Sequence, residues 1–391
     1  MRFRSGIILL VLLGWWATTA RLVHAGTFYV DPKGVDNNSG TEQEPWLTIQ
    51  RAAEAAQPGD TVLVNNGVYA GFHTARGGTK KAAITFKANG NQVVINSRNS
   101  ATPDAINVES ADYVVIDGFV VKDAPRAGIR VVESAGVTVR NNKVGPNQMW
   151  AIFTGFTPGI QILDNQAFGS KEQHGIYVSN SRGKVDYPVI RGNDTYQNNQ
   201  NGIQLNGDCH SGGDGIIDGA LIENNSVHDN GNKGLSLISM QDSVVQNNLI
   251  FDNGLRGGAG GIHLTDEFEC HKPSSNNTVV NNTIIELRIA GIRITDGAVK
   301  NRIFNNLVVS GKPIVDEVGG NSIDRDSNIE RHSVKGLFVD PKAGDFHLAN
   351  DSLARDAGVA AYEGQKAPRT DVEGNRRPAG RAVDVGAYER K

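Results

Sequence analysis

The chain has 391 residues, with 42 acidic against 39 basic side chains and a net charge of −3. No basic block stands out, which argues against a nucleic-acid partner. Its 46 glycines follow no strict period, which excludes collagen, and they suit a backbone that turns sharply every few residues.

Residues 1–25 read as a secretory signal peptide: a basic Met1-Arg2-Phe3-Arg4, an apolar Gly6–Trp16 and a small-x-small site at Val23-His24-Ala25. Arg21 interrupts the apolar run short of the roughly 20 residues that a spanning helix needs. An uncleaved anchor is the rival. The expectation is a secreted or periplasmic protein, without stable membrane insertion and monomeric.

Residues 26–60 predict a strand at Gly26–Val30, a polar turn over Asp31–Thr41, and a short amphipathic helix at Thr48–Ala56 stopped by Pro58-Gly59. Residues 61–335 hold short alternating phrases, beginning with Asp60–Val64, Ile84–Lys87, Val93–Asn96 and Tyr113–Asp117. From Gly118 two phrases recur. One is Gly/Ala-Ile/Leu-x-hydrophobic, as in Gly128-Ile129-Arg130-Val131, Gly175-Ile176-Tyr177-Val178, Gly202-Ile203-Gln204-Leu205 and Gly261-Ile262-His263-Leu264. In Ala151-Ile152-Phe153-Thr154 the ending is polar. The other ends in Asn, at 142, 165, 193, 225, 248, 282 and 306, spaced 23, 28, 32, 23, 34 and 24 residues apart.

A repeat near 23 residues with insertions is a solenoid signature. Phrases of four or five alternating residues are too short for a helix and right for strands. Such strands bury their apolar face only by stacking on equivalent strands. The reading is an all-β, single-stranded parallel β-helix capped by the N-terminal helix. The ladder asparagines are read as turn formers, not ligands. Residues 336–391 predict an irregular segment packed on the solenoid, with edge pieces at Leu337–Asp340 and Phe346–Leu348 and a last strand-like piece at Ala382–Tyr388.

The chain resembles the right-handed parallel β-helix proteins of the clan that includes pectate lyases and chondroitinase-B-like lyases. Pro45–Ala52, Pro58–Val62 and Gly67-Val68-Tyr69 look like that clan's first turn and cap, and Val383–Glu389 like the ending of many exported bacterial members. The resemblance implies activity on uronate polysaccharides by a lyase, a C5 epimerase or a glycoside hydrolase.

In the Gly-Ile-x-Val phrase the x side chain points outward. Stacking predicts one external column of Arg130, Phe153, Tyr177, Gln204, Ser236, His263 and Arg293, flanked by His174, Asn201 and Lys233. Arginines pair with carboxylates and sugars stack on aromatic faces, so the column suits a glycan, anionic or neutral. An ordinary polar face is the bland alternative.

Two insertions leave the same corner. One carries Asp208, Cys209, His210 and Asp214; the other Asp266, Glu267, Glu269, Cys270 and His271. Loops on rigid scaffolds concentrate function. Export permits a Cys209–Cys270 disulfide, with free thiols or metal ligation as alternatives. His73, His228 and His347 carry no such argument.

For β-elimination, Arg293, Lys233 or Ca²⁺ held by Asp208, Asp214, Asp266, Glu267 and Glu269 would neutralise a uronate. His174, Tyr177, Lys233 or His263 would move the proton. Arg130, Phe153, Asn201, Gln204, His210 and His271 would bind substrate. No organic cofactor is expected. The alternatives are a glycoside hydrolase working through paired carboxylates and a non-catalytic glycan-binding protein.

Overall fold

The computed structural model describes residues 25–179, 186–267 and 270–390, so residues 1–24 of the expected signal peptide lie outside it. Among the described residues, one α-helix accompanies a succession of short, mostly parallel strands. The strands form two long parallel sheets, of 21 and ten members, that wind together as a β-helix.

The ten-stranded sheet shows why the four-residue phrases matter. Its strands pair in register, so that Phe72, Ile106, Ile129, Ile152, Ile176, Ile203, Leu235, Ile262, Ile292 and Ile314 form one inner column. All but the last, partly buried Ile314 are buried, and they belong to one core running through the solenoid. Each turn is an apolar layer about 4.8 Å thick that only its neighbours can cover.

The helix Ile49–Ala55 begins at Thr48, whose Oγ1 accepts from the Arg51 amide at 3.1 Å. It buries Ile49, Ala52 and Ala53 in the same core, over the first turns.

The asparagines divide their work between two positions. Asn141, Asp164, Gly192, Asn224, Asn247, Asn281 and Asn305, each one residue before a ladder Asn, adopt positive φ. That is where a left-handed residue is needed. The ladder residues themselves are buried and serve as side-chain staples, not as the left-handed turn formers expected. Asn225 is typical: its Oδ1 accepts from the Asn193 backbone N–H at 2.9 Å and from Asn193 Nδ2 at 3.0 Å, while its Nδ2 donates to the Ile190 carbonyl and to Asn248 Oδ1, both at 2.9 Å. The ladder runs from Asn142 to Asn328. A second ladder, unforeseen in the sequence, links Asn198, Asn230 and Asn253 and ends on the buried carboxyl of Glu286.

The C-terminal segment packs Leu337, Phe338, Phe346, Leu348, Ala354 and Val385 against Leu249, Ile285, Leu307 and Val309. Phe338–Asp340 and Asp345–Leu348 form an antiparallel pair. Ala382–Tyr388 forms no strand, contrary to expectation. Its backbone is held by side chains instead: Asn281 Nδ2 donates to the Asp384 and Gly386 carbonyls, and Thr283 Oγ1 accepts from Ala387 N–H at 2.8 Å. A ladder hydrogen bond there would require a free strand edge, and the solenoid's edges are already paired turn to turn.

Candidate functional site

The outer column forms in register, as the repeat predicts: Arg130, Phe153, Tyr177, Gln204, Ser236, His263 and Arg293. It also extends further. Asn107 and His73 precede Arg130, and Val315 follows Arg293. His73, set aside in the sequence, is therefore part of the column. Its strand lacks the Gly-Ile phrase, so only pairing reveals it.

The column has three chemical zones. In the first, Arg130 is held by Glu109 and by Asn107 Oδ1, each at 2.9 Å, and Asn107 Nδ2 meets His73 Nδ1 at 2.9 Å. The second is aromatic. Phe153 and Tyr177 stack with centroids 5.3 Å apart, Trp150 leans on Phe153 at 4.8 Å, and His174 stacks on Tyr177 at 5.7 Å. Burial, with the nearby Asp208 carboxylate second, pushes the Tyr177 phenol well above its usual range. It keeps its proton at any ordinary pH.

The third zone is cationic. Asn201 is its hub: its amide N–H donates to His174 Nδ1 at 3.2 Å, its Nδ2 donates to Gln204 Oε1 at 2.6 Å, and its Oδ1 accepts from Lys233 N–H at 3.0 Å. The Lys233 ammonium lies 3.4 Å from Ser236 Oγ. Burial, then the Arg293 guanidinium, lowers its pKa from the ordinary lysine value. Arg293 itself holds Glu317 bidentately, both contacts at 3.0 Å.

His263 is buried beneath these cations, and burial followed by Lys233 and Arg293 depresses it to about 3. Its Nε2 lies 2.9 Å from Thr295 Oγ1, which in turn reaches Asp296 Oδ2 at 2.7 Å. Asp296 can only accept, so Thr295 donates to it and accepts from His263 Nε2–H. Burial likewise depresses His174 to about 4. Both imidazoles are neutral and weakly basic.

The residues of the column lie on turns covered by a family model described as Pel9A-like, right-handed β-helix region, which matches residues 28–255. The chain belongs to this family. A second model, described as periplasmic copper-binding protein (NosD), matches residues 218–336 of the Pel9A-like chain. The uncharacterised protein YwoF of Bacillus subtilis is 26% identical, covering 85% of this chain and 75% of its own. Among solved structures, the pectate lyase Pel9A aligns with a TM-score of 0.67 at 16% identity, covering 94% of this chain and 96% of its own. A rhamnogalacturonan lyase aligns at 0.62 and 16% identity, covering 87% and 97%. At these identities the structural likeness establishes the fold. No helix among the described residues is long and apolar enough to cross a membrane.

In this Pel9A-like chain the two long loops meet. Cys209 and Cys270 form a disulfide with Cα atoms 6.2 Å apart, within the usual span. Glu267 joins the loops as well, accepting from Cys209 N–H at 3.1 Å. His210 lies beside them, whereas His271 is exposed, with a positive φ just past the disulfide, and does not join this group.

The carboxylates expected to hold calcium do not converge. Asp208 accepts from Ser179 Oγ at 3.0 Å, Asp214 accepts from Ile216 N–H at 3.2 Å, and Asp266 faces Asp296. Glu269 lies outside the described residues. Six to eight oxygens around one point make a calcium site, and the described carboxylates, as placed, do not fit one.

Sequence reasoning missed Trp150, Asn107, Glu317, Thr295 and Asp296. Each lies outside the repeated phrases that carried the reading, except Asn107, whose phrase lacks the leading glycine.

Proposed function

We propose that this protein is an exported polysaccharide lyase that cleaves a uronate-containing glycan by β-elimination. The observation that carries the reading is Lys233: an ammonium with lowered pKa, half-buried over the column beside Arg293. A base near its working pH removes a proton most efficiently. A glycan laid along the column would place a uronate over the cationic zone. Arg293, released from Glu317 or sharing it, neutralises the carboxylate and acidifies the proton at C5.

Neutral Lys233 then takes that proton. The C5–H electrons form the C4–C5 double bond, and the C4–O bond breaks. The departing oxygen needs a proton, and Tyr177, held protonated by its surroundings, is the donor we assign. His174 and His263 are too weakly basic for either step and serve as fixed hydrogen-bonding walls. Phe153, Tyr177 and Trp150 supply apolar surface for sugar rings on the neighbouring turns.

One arrangement favours hydrolysis as the second reading. Asp266 and Asp296 are neighbours pushed in opposite directions. Burial and then Asp296 raise Asp266, while hydrogen bonds from Thr295 and Thr265 lower Asp296. Divergent carboxyls are what an acid and a base need.

Incubation with a panel of uronate polymers, with and without chelator, tests both. Ultraviolet absorbance from an unsaturated uronide supports elimination. Reducing ends without absorbance support hydrolysis. Binding with neither refutes both and leaves a glycan-binding protein.

A further inference from the structure

We propose that the junction of the two long loops is a redox-gated site for a borderline divalent cation such as Zn(II), with Cys209, His210, Glu267 and Cys270 as ligands. The site is separate from the elimination chemistry and does not depend on it. One ligand atom from each of the four side chains lies within 4.8 Å of all the others. Around a tetrahedral ion with metal–sulfur distances of about 2.3 Å and metal–nitrogen or –oxygen distances of about 2.0–2.1 Å, neighbouring ligands stand about 3.3–3.8 Å apart. A small contraction of the loops satisfies that.

Glu267 is the informative member. Its Oε2 accepts from the Cys209 amide and lies 3.6 Å from Cys270 Sγ. A bridge between two loops needs only its two sulfurs. A carboxylate and an imidazole gathered on the same point add nothing to a disulfide, but they complete a four-ligand set. Two sulfurs, one nitrogen and one oxygen suit Zn(II) and its neighbours and do not suit calcium.

The gate is the disulfide. Oxidised, the sulfurs are bonded to each other and carry no charge, which leaves only His210 and Glu267. A reductant delivers two electrons and two protons, giving two thiols. With a phosphine as reductant, the phosphine becomes its oxide and water supplies the oxygen. Metal binding then displaces both thiol protons, since the thiolate is the ligand. The same two loops are thus joined by a bond in one redox state and by an ion in the other. Asp208, next to Cys209 and near the Tyr177 phenol, carries that change to the edge of the column.

Cobalt(II) is the probe, added to the full chain before and after phosphine reduction, with circular dichroism confirming the fold. The reduced chain is expected to bind one equivalent with thiolate-to-cobalt charge-transfer and tetrahedral ligand-field bands, displaced by Zn(II). The oxidised chain shows neither band. His210→Ala and Glu267→Gln each weaken binding at least about tenfold. A folded, reduced chain without a thiolate–cobalt band overturns the proposal. So does a band whose affinity is unchanged in both variants, which would mark adventitious binding by two thiols. A reduced chain that loses its β-helix signal and does not regain it with cobalt overturns it too.

Discussion

Replacing Asn225 by Ala is the sharpest test of what holds the solenoid together. The side chain is fully buried, in the middle of the ladder. Its Oδ1 accepts from the Asn193 backbone N–H, and its Nδ2 donates to the Ile190 carbonyl. Alanine leaves that N–H without an acceptor and no room for bulk water. An orphaned buried group costs about 1–3 kcal/mol, and the lost amide contacts add about 1 kcal/mol each. The expected destabilisation is about 2–5 kcal/mol.

Asn328, at the ladder's end, makes the matching bonds to Asn306 but is only half-buried. Water can replace its amide, so Asn328→Ala is expected to cost about 1 kcal/mol. Urea unfolding followed by circular dichroism gives both values, with the slope checked because repeat arrays can lose two-state behaviour. Hydrogen exchange at the Asn193 amide reports the orphan directly. If Asn225→Ala lies within about 0.5 kcal/mol of wild type, or exchange at Asn193 is unchanged, the ladder is ornament and the reasoning fails.

Burial holds the Glu286 carboxyl at about 8, against an ordinary 4.5, despite its bonds from Asn253. Its native state therefore keeps a proton that the unfolded chain loses; stability from this group is full below about pH 4.5 and is lost as pH rises through about 8. Glu286→Gln should be progressively more stable than wild type over that window, approaching roughly 4 kcal/mol at its alkaline end; a pH-independent difference in melting would contradict the assignment. Lys233→Ala should lower uronate cleavage at least about 100-fold while shifting the melting temperature little, and a preserved rate would remove Lys233 as the base. Cleavage by the wild type should rise with pH as Lys233 loses its proton, at a pH below that of an ordinary lysine; a flat profile counts against it. Cys209→Ser opens a bridge spanning 61 residues, and loop closure of that length sets a loss of roughly 4 kcal/mol; an unchanged denaturation midpoint would show that the loops are held without it.

The repeat was legible because each Gly-Ile-x-Val phrase repeats one local decision: two apolar side chains inward and one outward. That alternation needs no knowledge of partners, so the outer column from Arg130 to Arg293 could be written down from sequence spacing alone. The disulfide followed from the same logic, since both cysteines leave equivalent strands. Other features depended on neighbours. Asn141 and Asn142 are the same residue type side by side, and only the backbone shows that one takes the left-handed turn while the other staples the turns. Ala382–Tyr388 alternates like a strand, but the solenoid offers it side chains in place of an edge.

The fold class was thus determined by the sequence itself, through a period and an alternation that only stacking could satisfy. The state of the site was decided by the tertiary structure. Protonation of Lys233, His174, His263 and Glu286 depends on desolvation and on charges from other turns, and those are distances in space that no spacing along the chain encodes.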